Sequence, residues 1–79
     1  MKKNITPLDE SVRLNLALYL EDLGSIEPTN MWDMVMRCVE KPLLETAMNH
    51  AAGNQSRAAD MLGITRNTLR KKLQIHQLI

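Results

Sequence analysis

Residues 53–73, GNQSRAADMLGITRNTLRKKL, constrain the fold more than any other part of the chain, because their glycines, small residues and leucines sit at the offsets that two crossing helices require. Gly53 breaks a preceding helix, and the side chain of Asn54 can accept from free backbone N–H groups of the next turn. A short helix is therefore predicted from near Gln55. Ala58, Ala59 and Leu62 line one side of it, with Ala59 small enough to let a second helix cross closely. Gly63 supplies the permissive backbone of a sharp interhelical turn, and Ile64 plugs the corner. Thr65 caps the next helix, which places Leu69 and Leu73 four apart on its buried side. Arg66, Asn67, Thr68, Arg70, Lys71 and Lys72 are left for the surface.

An amphipathic hairpin with a merely solvated basic face is the plain alternative. Two features weigh against it: the crossing offsets, which suit a helix entering a major groove, and the segregation of charge. Residues 1–52 carry five Lys or Arg against eight acids, a balance of −3, whereas residues 53–79 carry five bases against Asp60 alone, a balance of +4. The near-neutral total of +1 thus hides a bipolar molecule whose basic half suits a polyanion such as nucleic acid.

At 79 residues the chain is one small domain, which buries a low fraction of its surface when alone. Its Leu and Met content, with only Trp32 and Tyr19 as aromatics, favours helices over sheets, and the Met-rich stripe reads as core packing. Two further helices follow from their punctuation. Thr6-Pro7-Leu8-Asp9 is a helix start with Thr6 as cap and Pro7 in the first position. Leu8, Val12, Leu16, Tyr19, Leu20 and Leu23 then recur at helical spacing until Gly24. Asn30 or Thr29 caps a second helix that carries Trp32, Val35, Met36, Val39, Leu43, Ala47 and Met48 and continues to about Ala52. Pro42 lies deep within it, at a cost of roughly 3 kcal/mol or more, and a kink is expected rather than a break, because the apolar spacing continues from Val39 to Leu43.

The expected architecture is all-α, with four helices in one domain over residues 1–79: dimerisation helices over 1–52, kinked near Pro42, and a helix-turn-helix over 53–79. Such broad apolar faces exceed what the small hairpin core can cover. A two-fold homodimer buries them and presents two hairpins by symmetry. Leu16, Leu20, Trp32, Val35, Val39 and Leu43 are the candidate dimer core; docking of these helices onto some other protein is the alternative.

Other classes find little support. His50 and His76 have no Cys or carboxylate at ligand spacing, so no metal or cofactor is expected. Neither Cys38 nor any Ser has a base partner, and there is no phosphate-cradling glycine loop, which argues against an enzyme. Cys38 is single and is read as a buried thiol in a reducing compartment. Lys2 and Lys3 are not followed by the apolar run of a signal peptide and no stretch suits a membrane span, so a cytoplasmic location is expected.

The motifs PLLE, GNQSRAA, LGI and TLRKKL carry a resemblance to the Fis family of bacterial nucleoid-associated proteins, which extends from Pro7 to about His76 without gaps and includes Pro42 at that family's helix kink. The C-terminal hairpins of sigma-54 activators share only GNQSRAA and TLRKKL; a chain with its own Met and no ATPase domain is expected to be the free-standing kind. The resemblance implies an intertwined homodimer that binds many degenerate double-stranded DNA sites and bends them. Its two recognition helices lie closer than one DNA turn, so specificity is largely indirect. A helical dimer that meets protein or RNA without bending DNA is the alternative function.

Arg66 is assigned the base contact, since a guanidinium can donate twice to guanine in the major groove. Asn54, Ser56, Thr65, Thr68, Arg70, Lys71 and Lys72 are assigned to DNA backbone or register. Lys72 has the alternative of a solvated charge, and Arg57 that of pairing with an acid. The chain departs from the family at Thr65, where Fis proteins commonly have Asn, and at Gln74-Ile75-His76, where the basic C-terminus is thinned. Ala52 stands where an activating Fis has a basic residue that touches RNA polymerase, which argues against that partner. Six residues before the first helix are too few for the mobile arms that stimulate invertases, and no such activity is expected.

Overall fold

The computed structural model describes residues 6–79, so the expectations for Lys2, Lys3 and the invertase arms, and the capping role of the Thr6 side chain, lie outside the described residues. Four helices follow one another: α1 (Thr6–Leu23), α2 (Met31–His50), α3 (Gln55–Leu62) and α4 (Arg66–Ile75). The described residues contain no strand, and none of their helices is long and apolar enough to cross a membrane. The chain divides into two compact units, residues 1–31 and 32–79.

In the first unit α1 ends before Gly24, whose φ of 62° reverses the chain, and none of its described side chains is fully buried. Leu8, Leu14, Leu18 and Leu20 are exposed, while Val12, Leu16, Tyr19 and Leu23 are half-buried. Asn30, expected as the cap of α2, adopts a left-handed φ of 54°, a conformation Asn tolerates better than most residues but not the extended one of a capping residue.

The second unit is organised by α2. Leu44, Ala47 and Ala51, at spacings of three and four, join Ala58 and Ala59 of α3 and Leu69 and Leu73 of α4 in one buried cluster. Met48, Leu62, Ile64 and Leu78 seal its edges. Leu69 and Leu73 are its largest fully buried side chains, so three helices meet over alanines, which let their backbones approach closely.

α2 runs unbroken through Pro42. Proline has no N–H, so the carbonyl of Cys38 loses its helical partner. Cys38 and Pro42 share an exposed face, where water can satisfy that carbonyl. The same placement corrects the reading of Cys38 as a buried thiol: it is exposed, two residues before Glu40 and away from the Leu44 and Ala47 side of the helix.

The three helices of this unit end by one device. Gly53 N–H donates to Met48 O and Ala52 N–H to Asn49 O after α2; Ile64 N–H to Ala59 O and Gly63 N–H to Asp60 O after α3; Leu78 N–H to Leu73 O and Gln77 N–H to Gln74 O after α4. This is the Schellman pattern, whose pivot is left-handed. The pivots are Ala52 (φ 53°), Gly63 (φ 77°) and Gln77 (φ 58°). Gly63 takes the role read for it, but α2 turns on Ala52, one residue before the expected Gly53.

Candidate nucleic-acid interface

Both hairpin helices are held at their starts by side chains. Asn54, at φ −81° and ψ 104°, accepts at Oδ1 from Arg57 N–H at 3.1 Å, while Thr65, at φ −74° and ψ 156°, accepts at its hydroxyl from Thr68 N–H at 3.1 Å. These caps leave defined donors for an outside acceptor. The amide NH2 of Asn54 is free of its cap and exposed at the start of α3, beside exposed Ser56. The hydroxyl of Thr65 donates to Thr68 Oγ1 at 2.9 Å, so Thr65 is used up by the cap. Thr68, accepting from Thr65, keeps its own hydroxyl proton to give away.

The outward side of α4 carries Arg66, Asn67, Arg70 and Lys71, all exposed. Its inward side is Leu69 and Leu73, seated on α2 and α3. Among the described residues Arg57, Arg66, Arg70 and Lys71 make no ion pair, and Arg57 has not found the acid suggested for it. Their charges are uncompensated on one hairpin. Such a row on a rigid helix is an electrostatic footprint for a polyanion.

Lys72 is placed differently from the rest. Its Nζ donates to Glu40 Oε2 at 2.7 Å, and His76 Nε2 lies 3.0 Å from Glu40 Oε1. The two bonds, to Lys72 above all and then to His76, hold the Glu40 carboxyl below the ordinary carboxylate range. An ionised carboxylate only accepts, so His76 donates from Nε2. A signal for this clasp exists in the sequence: Leu69, Lys72, Leu73 and His76 share one face of α4, which turns Lys72 and His76 toward α2.

Of the residues expected in a dimer core, Trp32, Val39 and Leu43 are exposed and Val35 is half-buried, outside the buried cluster. Leu16 is half-buried and Leu20 exposed. Leu43 also lines a shallow apolar groove with Ala47, His50, Met61 and Leu62.

With the crossing helices and their basic face defined, residues 35–75 match the family model described as "Bacterial regulatory protein, Fis family". The chain belongs to the Fis family. It is 53% identical over 73 residues to a Fis-like DNA-binding protein of Ralstonia nicotianae, covering 92% of this chain and 95% of the relative. It is 47% identical to a Fis-like DNA-binding protein of Neisseria meningitidis over the full length of both. Against the DNA-binding protein Fis of Vibrio cholerae it is 50% identical over 68 residues, which are 86% of this chain and 69% of that one. The Fis-family match begins at Val35 and so takes in most of α2 together with the hairpin, in keeping with the core that Leu44, Ala47 and Ala51 share with α3 and α4.

Proposed function

We propose that this Fis-family protein binds and bends double-stranded DNA as a homodimer, acting as a sequence-tolerant nucleoid-associated regulator. The observation that carries the reading is the row of uncompensated cations on the second helix of a capped hairpin, with Arg66 at that helix's first turn. Arg66 reads a base in the major groove. Asn54, Ser56, Thr68, Arg70 and Lys71 grip the backbone, and Thr65 sets register through its cap. The names of the relatives, which carry DNA binding, point the same way.

Residues 1–79 act as one domain, in which the two helices within residues 1–52 form the dimer and residues 53–79 the DNA-binding hairpin. The exposed stripe of Trp32, Val39 and Leu43 and the adjoining apolar groove support this, since a lone chain leaves them facing water. Arg70 and Lys71 from two subunits neutralise about four phosphates, for a slope of log affinity on log salt near −4 and roughly a hundredfold loss of binding between 50 and 200 mM salt.

Gel-shift titrations on circularly permuted duplexes at two salt concentrations test the reading, with an A/T-centred degenerate palindrome and a scrambled control. Preference for the palindrome, strong salt dependence and mobility that varies with site position are expected. Identical, unbent binding to both duplexes, or none at micromolar protein, overturns the proposal in favour of a protein or RNA partner.

A further inference from the structure

Glu40 joins α2 to α4 across 32 and 36 residues of sequence, with one carboxylate oxygen for each partner. The other ion pairs among the described residues, Arg13 with Asp9 and Arg37 with Asp33, are exposed contacts within a single helix. The clasp is of another kind. The side chain of His76 is 8% exposed and those of Glu40 and Lys72 are 30% and 35% exposed, so screening by water and salt is weaker than at the surface. A lysine already 2.7 Å from a part-buried carboxylate has its charge compensated before any phosphate arrives. Its transfer to DNA would strand Glu40 beside the recognition helix.

Resting on the DNA-binding reading above, we propose that Glu40 is a positioning residue for DNA recognition: it withholds Lys72 from phosphate and, through His76, fixes the C-terminal half of α4 on α2. Neighbouring lysines of one basic run then have opposite duties. Lys71 meets the duplex, and Lys72 belongs to the scaffold. The acid on α2 thereby limits grip on arbitrary DNA, because a released Lys72 on its flexible stem is an added phosphate ligand in each subunit.

The test is the slope of log affinity against log salt for a non-cognate duplex, by fluorescence anisotropy with the full chain. Lys71→Ala is expected to reduce the slope by about one per subunit, while Lys72→Met leaves it unchanged. Glu40→Gln steepens it by about one per subunit and tightens non-cognate binding several-fold, and Glu40→Gln with Lys72→Met restores the original slope. Glu45→Gln, which changes the net charge equally from an exposed site on the same helix, leaves the slope unaltered. Lys72→Met keeps the bond from His76 to Glu40, so it decides the matter even if Glu40→Gln folds poorly. A loss of slope in Lys72→Met equal to that in Lys71→Ala, or an unchanged slope in folded Glu40→Gln, overturns the clasp alone. Absence of salt-dependent duplex binding by the unaltered protein overturns the DNA reading and this inference with it.

Discussion

Ala52→Gly should stabilise the protein, although Gly is the poorest ordinary helix former. Ala52 is the pivot after α2 and sits at φ 53°, where its Cβ crowds the backbone at a cost of roughly 1–2 kcal/mol. Its side chain is exposed, so removal of the methyl sacrifices little packing. Against the relief stands the greater freedom of Gly in the unfolded chain, about 0.4–1 kcal/mol. The net gain is therefore about 0.5–1 kcal/mol, or roughly 2–8 °C in Tm for a domain of this size. Gly63→Ala is the mirror experiment: φ is 77° and a Cβ built there meets nothing within 4 Å, so its loss is conformational and not steric. Thermal and urea melts followed by circular dichroism, at fixed protein concentration, should move in opposite directions for the two variants. Destabilisation by Ala52→Gly would refute the argument, since it would mean that helix propensity outweighs the left-handed pivot.

Arg66→Ala should weaken specific binding and relax base preference, whereas Lys71→Ala weakens binding to all sequences alike, as measured by competition titrations; equal losses on cognate and random duplexes would sink the division. Leu69→Ala removes one of the two largest fully buried side chains and should cost about 2–5 kcal/mol in urea unfolding. Because Glu40 titrates below its ordinary 4.5 when folded, its contribution is complete above that value and is lost as pH falls through the lower folded pKa. The stability gap between the unaltered protein and Glu40→Gln should accordingly be widest near neutrality and close in acid; a gap that widens on acidification would contradict the sign. Val39→Glu, at a position exposed in the single chain, should leave helix content intact but abolish the proposed dimer in sedimentation and remove the concentration dependence of Tm that such a dimer confers.

What could be read in the sequence was what local chemistry decides. Asn54, Thr65 and Gly63 are required by the backbone groups beside them, and their neighbours a few residues away complete each cap or turn. The buried face of α4 followed from the spacing of Leu69 and Leu73. Ala52 was illegible for an equally local reason: a Gly lies next to it, and the pivot position depends on where α2 stops, which fixes the register to one residue. Asn30 could be read as a cap because the same side chain suits a left-handed turn. The Glu40 clasp escaped because its partners are far away in sequence, and a lysine inside a basic run reads first as part of that run. Lys72 differs from Lys71 only by a rotation about α4, yet that rotation takes it from water to a carboxylate.

α2 presents two apolar stripes, one inside the hairpin core and one outside it. Leu44, Ala47 and Ala51 complete the hairpin core, and Val35, Val39 and Leu43, displaced around the helix by about one residue's turn, stay outside it. The hairpin is not an appendage on α2; it is built upon the second half of that helix. If the outer stripe seats the second subunit, the separation of the two recognition helices follows from α2 and not from a flexible linker. A rigid separation unequal to one DNA turn forces the duplex to supply the adjustment, and deformable sequences then bind best without a side chain touching them. Loosening the attachment of α4 to α2, as Glu40→Gln should, would let the protein share that adjustment. Discrimination between stiff and flexible site centres should then diminish in the variant, measurable as a smaller affinity ratio for duplexes that differ only at their uncontacted centre.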